Sequence, residues 1–161
     1  MADPIYLSTI GVKFYYAVET TAGTRPTALA DYTELKGIKS TPAMTATPDS
    51  LETTTMNETE YKTYIPGLKD LGGALDFTFN LSQELKNAWD TLMTNYATGL
   101  ASSKATWFCI VVPGLTDAVY FKGVPTPMGL PDMGVNAVAE ATNTITPTNA
   151  PAWYAKPTGS V

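Results

Sequence analysis

Histidine is absent from the sequence, and cysteine occurs once, at Cys109. The first absence removes the commonest general base and the commonest metal ligand of proteins. The second excludes an internal disulfide, and the apolar neighbours Trp107, Phe108, Ile110 and Val111 predict a buried, unreactive thiol. Composition therefore argues against catalysis, and we expect no catalytic residues, no cofactor and no bound metal.

Basic residues are also scarce. The chain has ten Lys and Arg against fifteen Asp and Glu, a formal net charge of −5, and its basic residues are scattered between Lys13 and Lys156. A protein that grips a phosphate backbone needs clustered cations, so we expect no tight binding of nucleic acid. No window is long and apolar enough for a membrane span, and the start, MADPIYLST, lacks the pattern of a secretion signal. We expect synthesis in a cytoplasm and no membrane association.

What the sequence does contain is period-two alternation, which predicts β-strands. The predicted strands cover residues 11–19, 33–38, 75–81, 105–112, 118–124 and 136–145. The first strand should be half-buried, with Lys13 and Glu19 on its polar face. The fourth strand is apolar on both faces, as in the centre of a sheet, and the turn after it predicts a hairpin with the fifth strand. The sixth strand has small side chains, which predicts an edge strand or a surface shared with a neighbour.

One helix is predicted, over residues 82–98, with Asn80 or Ser82 as its cap and Gly99 as its end. Apolar residues recur at three- and four-residue spacings, so the helix should pack on a sheet, with Trp89 and Trp107 at the contact. The predicted fold is mainly β, with two packed antiparallel sheets, as a β-sandwich or flattened barrel, one flanking α-helix and a long loop arm. A length of 161 residues suits a single such domain.

The loop arm, residues 39–69, shows neither periodicity. Its acidic, Thr-rich composition cannot bury itself, so we expect an arm that orders against a partner, another copy of this chain, with part of it forming a hairpin when docked. The domain should cover residues 1–146. Residues 147–161 form a Pro-rich C-terminal arm whose Trp153 and Tyr154 have no place in the strand pattern, so we expect them to anchor on a surface.

Two motifs superficially suggest chemistry. Glu58 and Glu60 could serve as a glycosidase pair near Tyr61 and Tyr64, but they lie in a Thr-rich loop without a cleft pattern, which favours solvated charges. Gly67, Gly72 and Gly73 lack the Gly-Lys-Ser/Thr ending of a phosphate loop and precede a strand, which favours a turn. A hydrolase is therefore disfavoured, while a carbohydrate-binding or adhesive β-sandwich remains the main alternative.

Several segments together carry a resemblance to a known family. These segments are, in chain order, GVKFYYAVET, TRPTALADYTELKGIKSTP, LETTTMNETEYKTYIPGL and the strand KDLGGALDFTFNL. Their order resembles that of the major tail tube proteins of long-tailed, non-contractile bacteriophages. The resemblance covers roughly residues 5–125. It implies hexameric rings stacked around a channel for genome ejection, a place in the virion tail, and partners such as the tape measure and tail terminator proteins. Double-stranded DNA would pass without specific binding.

The resemblance and the composition together predict site residues. On the polar face of the strand 75–81, Asp76, Thr78 and Asn80 are expected to face the channel or lie near it. Contacts between copies and between rings are expected from the two arms, at Leu51, Glu52, Thr53, Thr54, Tyr61, Tyr64, Ile65, Pro66, Lys69, Trp153 and Tyr154.

Overall fold

The computed structural model describes residues 7–159. These residues form ten strands, one α-helix and a short 3-10 turn, Leu29–Asp31. No helix in this part of the chain is both long and apolar enough to cross a membrane. The elements are β1 (Lys13–Val18), β2 (Thr33–Glu34), β3 (Ile38–Ser40), β4 (Thr47–Glu52), β5 (Tyr64–Asp70), β6 (Leu75–Asn80), α1 (Gln83–Ala101), β7 (Thr106–Val111), β8 (Asp117–Pro125), β9 (Glu140–Pro147) and β10 (Ala152–Ala155).

The main sheet is antiparallel, in the order β2-β1-β7-β8-β9-β6-β3, with β10 also paired to β8. It curls strongly, because the ring of Phe14 in β1 lies 4.8 Å from the ring of Phe77 in β6, four positions along the sheet. The two halves of the sheet thus face each other across one core. A second, small sheet contains β4 and β5. The predicted mainly β class, with one helix, is confirmed.

The predicted strand 33–38 was wrong, since the chain forms two short strands there. β2 pairs with β1 at one edge of the main sheet, and β3 pairs with β6 at the other. Gly37 lies between them with a φ of +86°, a conformation that favours glycine, and its carbonyl accepts from the backbone N–H of Asn80. Three residues therefore connect the two edges, which brings the sheet close to a flattened barrel.

The first core cluster fills the inside of the curl. Rings from β1, β6, β7 and β8 pack there against the buried face of α1, with Leu85, Trp89 and Leu92 fully buried. Ser82 caps α1 by accepting from the Leu85 N–H at 3.1 Å. The helix does not end at Gly99 as predicted, because it runs on to Ala101. Gly99 is instead a packing position.

The close approach of α1 to β1 explains why residue 99 is a glycine. A Cβ atom on Gly99 would lie 2.6 Å from Val18 Cγ1, so α1 approaches β1 more closely than a larger residue would permit. The prediction that Trp89 belongs to the helix-on-sheet contact holds, since its side chain is fully buried in the first cluster. Trp107 does not belong to that contact, because β7 turns it to the opposite face of the sheet.

The second core cluster covers the outer face of β1, β7 and β8. It consists of Tyr15, Ala17, Tyr32, Trp107, Cys109, Val111, Ala118 and Tyr120, with Leu29 packed against it. The segment 19–32 folds over this face, and the Tyr32 hydroxyl donates to the Pro26 carbonyl at 2.7 Å. β1 is consequently buried on both faces, and the prediction of a half-buried strand was wrong.

Glu19 was predicted on a polar face but is buried, at 4% exposure. Its carboxylate accepts from Trp107 Nε1 at 2.9 Å and from the backbone N–H groups of Gly23 and Ala105 at 2.8 and 3.1 Å. Burial by itself raises the pKa of Glu19, but these hydrogen bonds and the charge of Lys122 outweigh it and hold the pKa below its usual value. The carboxylate therefore ties the end of β1, the following turn and the start of β7 together.

β9 was predicted at an edge or at a surface shared with a neighbour, and the edge position was wrong because β9 lies between β6 and β8. Its inward residues Ala141 and Asn143 lie opposite Phe79 and Phe77 of β6. Small side chains are needed there because the aromatic rings fill the space between the two halves of the sheet. The low bulk of this strand thus reflects a crowded interior.

Candidate functional site

The β4–β5 hairpin leaves the body of the domain. Leu51 lies opposite Ile65 and Glu52 opposite Tyr64, and within residues 7–159 the two strands pair only with each other. Every residue of both strands is exposed or half-exposed. Part of the arm was predicted to form a hairpin when docked, and the structure of a single copy contains the two paired strands β4 and β5 there. Alternation was missing from the sequence because neither face of the hairpin is buried in its own domain.

Both faces of the hairpin carry apolar side chains. Leu51 and Ile65 share one face, because they are cross-strand neighbours. Tyr64 lies on the other face, opposite Glu52, while Leu68 lies in the register irregularity between Pro66 and Lys69. All four side chains are exposed, Leu68 to 88%. A contiguous apolar surface of this kind is typical of an interaction site.

Threonines close the open end of the hairpin. The Thr53 N–H donates to the Thr63 carbonyl at 2.8 Å, and the Thr63 N–H donates to Thr54 Oγ1 at 2.9 Å. An exposed ion pair joins Lys62 to Glu52 at 3.7 Å and contributes little to stability. Tyr61 lies in the loop and is exposed. The two threonines predicted to contact another copy thus also hold the hairpin together.

The remaining predicted residues of β5 lie at defined positions of the pairing. Pro66 lies opposite Ser50, beside an irregularity in the register, and Lys69 lies opposite Pro48 near the base. Proline has no N–H to donate to a ladder and is tolerated at such places on an edge. Gly72 and Gly73, with φ of +84° and +89°, form the turn into β6, as predicted. Gly67 was predicted to shape a turn as well but lies within β5, where a Cβ atom would be 3.1 Å from the Asp49 carbonyl oxygen.

Trp153 and Tyr154 are not part of the hairpin. They lie on β10, which pairs with the first half of β8, and the Tyr120 hydroxyl donates to the Ala155 carbonyl at 2.8 Å. The Arg25 guanidinium lies 4.3 Å from the ring centre of Tyr120 and 4.5 Å from that of Tyr154, so it fixes Tyr154 on the body. Trp153 remains exposed. No sequence pattern predicted β10, because this strand has only four residues and is flanked by Pro151 and Pro157.

A polar surface covers the outside of β6 and β9. Asp76, Thr78 and Asn80 are exposed or half-exposed there, as predicted from their alternation with buried residues. Their cross-strand neighbours are Thr144, Thr142 and Glu140. Asp76 accepts a hydrogen bond from Thr144 Oγ1 at 2.8 Å, and Glu140 forms an ion pair with Lys39. The surface therefore presents short polar groups and more negative than positive charge.

The two outer faces of the curled sheet differ. The face of β1, β7 and β8 is covered by the segment 19–32, which buries the second core cluster. The face of β6 and β9 is lined by threonine, asparagine and carboxylate side chains that remain accessible. This second face is the one available to solvent or to a channel.

Catalytic groups do not converge in the described part of the chain. Cys109 is buried, and burial raises the pKa of its thiol to about 12. An open cleft of about 350 Å³ lies between β1 and the C-terminal half of α1, where Glu19, Asp31 and Lys104 contribute charges. Glu58 and Glu60 are exposed in the hairpin loop. No group of three or more potential metal ligands occurs among residues 7–159.

A second exposed apolar surface was missed by the sequence patterns. The connecting loop, residues 126–139, joins β8 to β9 and exposes Leu130, Met133, Val135 and Val138. A groove of about 300 Å³ lies at its base, between Leu81, Met128 and Leu130. Its apolar residues are separated by glycines and prolines, which is the signal that could have indicated an exposed loop. Instead its last residues were assigned to the strand predicted from 136.

Comparison of the sequence with protein-family models gives no match, and comparison with curated proteins gives none either. Solved structures do match. One is a chain of the anti-feeding prophage (AFP) baseplate in a six-fold symmetrised cryo-EM structure, with a TM-score of 0.57, 13% identity, and coverage of 96% of this chain and 98% of that chain. Another belongs to the tail of an empty GTA particle with C6 symmetry, with a TM-score of 0.53, 10% identity, and coverage of 89% and 94%. At these identities the likeness shows a common fold over nearly the whole chain.

Proposed function

We propose that this protein is a structural subunit of a phage tail, and that it builds the tail tube as stacked rings of six subunits. The observation that carries the proposal is the β4–β5 hairpin, whose two apolar faces both lack a covering element within residues 7–159. The common fold with chains from a six-fold baseplate and a C6 tail supports the same assignment. The role is architectural, and no reaction is proposed.

Burial explains why such a hairpin favours assembly. Each Å² of apolar surface removed from water contributes about 25 cal/mol, and an isolated two-stranded hairpin is marginal in water. A neighbouring copy that covers Leu51, Tyr64, Ile65 and Leu68 would stabilise both the contact and the hairpin. Contacts between unlike surfaces of identical copies can repeat without limit, as a tube requires. Tape measure and tail terminator proteins would be the further partners in the virion.

The polar surface of β6 and β9 is the proposed channel wall. Asp76, Thr78 and Asn80 offer short side chains. The cation Lys39 at this surface forms an ion pair with Glu140. Phosphates of passing double-stranded DNA would find few cations to bind. Repulsion from the carboxylates acts over a Debye length of about 8 Å at physiological salt. Asp76→Lys should therefore leave tubes intact but slow DNA ejection, while Asp76→Asn serves as the matched control without added positive charge.

Electron microscopy of the concentrated protein tests the proposed function directly. We expect rings or tubes with six-fold symmetry in negative stain, with a sedimentation coefficient that rises with concentration. A protein that stays monomeric at all concentrations and binds glycans on an array would instead be an adhesive β-sandwich. In that case Trp153 would be the accessible aromatic platform, since Tyr154 is held by Arg25.

A further inference from the structure

We infer that the connecting loop, residues 126–139, is the surface on which the β4–β5 hairpin of another copy docks. The inference rests on the proposed function, because it names the partner surface for the hairpin within a stacked assembly. It is carried by the positions of the two exposed apolar surfaces, by their chemistry and by their size.

The two surfaces lie at opposite ends of one pair of strands. β6 and β9 run side by side, with Leu75 opposite Ile145 at one end and Asn80 opposite Glu140 at the other. The hairpin joins the body at the Leu75 end, through the turn 71–74. The connecting loop leaves β8 near Ile145 but crosses to the other end, where Leu130 and Leu81 line one groove. A six-residue strand spans about 20 Å. A contact between hairpin and connecting loop therefore joins opposite ends of successive copies.

The connecting loop is firmly attached to the body at both ends. Trp89 Nε1 donates to the Thr126 carbonyl at 2.9 Å, and the Leu81 N–H donates to the Ala139 carbonyl at 2.9 Å. Between these points, Leu130 and Val135 are 87% and 94% exposed. The loop thus presents large apolar side chains from a fixed base.

The chemistry of the connecting loop suits an apolar protein partner. Asp132 is its only charged residue in the sequence, so it offers no cations to nucleic acid or to an anionic surface. The hairpin offers Leu51 and Ile65 on one face and Tyr64 on the other, with Leu68 exposed at the register irregularity. Two apolar faces permit the hairpin to contact one copy within its ring and another in the next ring.

Size and symmetry select the hairpin of a second copy as the occupant. Specific interfaces involve about 20–30 residues and about 800 Å² on each side, which a hairpin spanning residues 47–70 can supply. Contact between two connecting loops would be a two-fold contact and would close the assembly at a dimer. Contact between hairpin and connecting loop joins unlike surfaces and leaves one of each free for the next copy.

Disulfide cross-linking tests this arrangement, because Cys109 is fully buried and will not react. The variants combine Val135→Cys in the connecting loop with either Ile65→Cys or Tyr64→Cys, one for each face of the hairpin. After mild oxidation of the assembled protein, we expect at least one double variant to give a ladder of covalent multimers on a non-reducing gel. Each single variant can give no more than a dimer and is the control.

Three outcomes separate the two proposals. Tubes together with a ladder support both. Tubes without a ladder from either double variant overturn the docking surface and leave the tail-tube function standing. A wild-type protein that forms no rings or tubes overturns the function, and the docking surface with it.

Matched substitutions give a second test. Leu130→Asn should raise the concentration needed for assembly about tenfold or more, as expected for a central interface residue. Leu100→Asn is the control, because Leu100 is an exposed leucine of α1 outside both surfaces. Neither change should alter the melting temperature of the monomer. Wild-type assembly by Leu130→Asn, with a folded monomer, would contradict the inference.

Discussion

The curled body and the β4–β5 hairpin form in opposite ways. The body surrounds two clusters of buried residues. In the first cluster, the ring centre of Phe14 lies 4.8 Å from that of Phe77 and 5.8 Å from that of Phe108. The hairpin buries no residue of its strands and is held by its backbone pairing and by threonine hydrogen bonds. One region is stable because it buries its own apolar surface, and the other keeps apolar surface available for another molecule.

The largest expected effect is in the body. Trp89→Ala should lower the free energy of unfolding by about 3–5 kcal/mol, because it leaves a large cavity and removes the hydrogen bond to the Thr126 carbonyl. Urea unfolding of the monomer measures the change. Stability equal to that of the wild type would show that Trp89 is not a core residue.

A smaller loss is expected from the buried carboxylate. Glu19→Gln should cost about 1–3 kcal/mol at neutral pH, because it weakens charge-assisted hydrogen bonds to Trp107, Gly23 and Ala105. The pKa of Glu19 is lower in the folded protein than in the unfolded chain. Its stabilising contribution is therefore fully present above about pH 4.5 and is lost as the pH falls through the folded pKa.

Unfolding measured between pH 7 and pH 3 checks this dependence. The wild type should lose stability below about pH 4.5 more steeply than Glu19→Gln, because the variant has no carboxylate at this position to protonate. Glu84→Gln is the control, since Glu84 is an exposed carboxylate of the first turn of α1. Parallel curves for wild type and Glu19→Gln would contradict the assigned role.

A gain in stability is expected at Asn143. Its side-chain oxygen and nitrogen are both buried without a hydrogen-bond partner among the described residues. Asn143→Ala should therefore stabilise the monomer by about 1 kcal/mol, since it removes an unsatisfied polar group without adding bulk beside Phe77. Thermal unfolding measures the shift. Destabilisation would show that the amide contributes more, through packing or an ordered water, than its burial costs.

The smallest effect on monomer stability is expected in the hairpin. Leu51→Ser should change the free energy of unfolding by less than about 0.5 kcal/mol, because Leu51 is exposed and contacts no part of the core. The same change should reduce assembly. Hydrogen exchange sharpens the contrast, because residues 39–69 should exchange quickly in the monomer and become protected in the tube. Equal protection of residues 39–69 in the monomer and in the tube would contradict the difference between the body and the hairpin.

The elements that were predicted well are those with one buried face or with two. Alternation of Phe77 and Phe79 with Asp76 and Thr78 located β6, and the continuous apolar run located β7. The helical spacing of Leu85, Trp89 and Leu92 located α1. In each case burial imposes a period on the chain, so the sequence carries the pattern.

The elements that were missed follow from contacts that no local pattern records. β4 and β5 have no buried face, so no period marks them. Glu19 looked like a solvent-exposed residue, because its hydrogen-bond partners Ala105 and Trp107 lie more than eighty positions away. β9 looked like an edge strand, because its small residues face aromatic rings supplied by β6.

Composition and local alternation were enough to predict the mainly β class, the position of α1, the burial of Cys109 and the polar face that contains Asp76. These depend on composition and on the alternation of neighbouring residues, which local geometry translates directly into faces. Three features became apparent in the folded chain alone: the curl that brings Phe14 to Phe77, the second core beneath the segment 19–32, and the placement of the two exposed apolar surfaces. Those features depend on which strands pair over long sequence separations, and pairing is selected by the fit of the whole core.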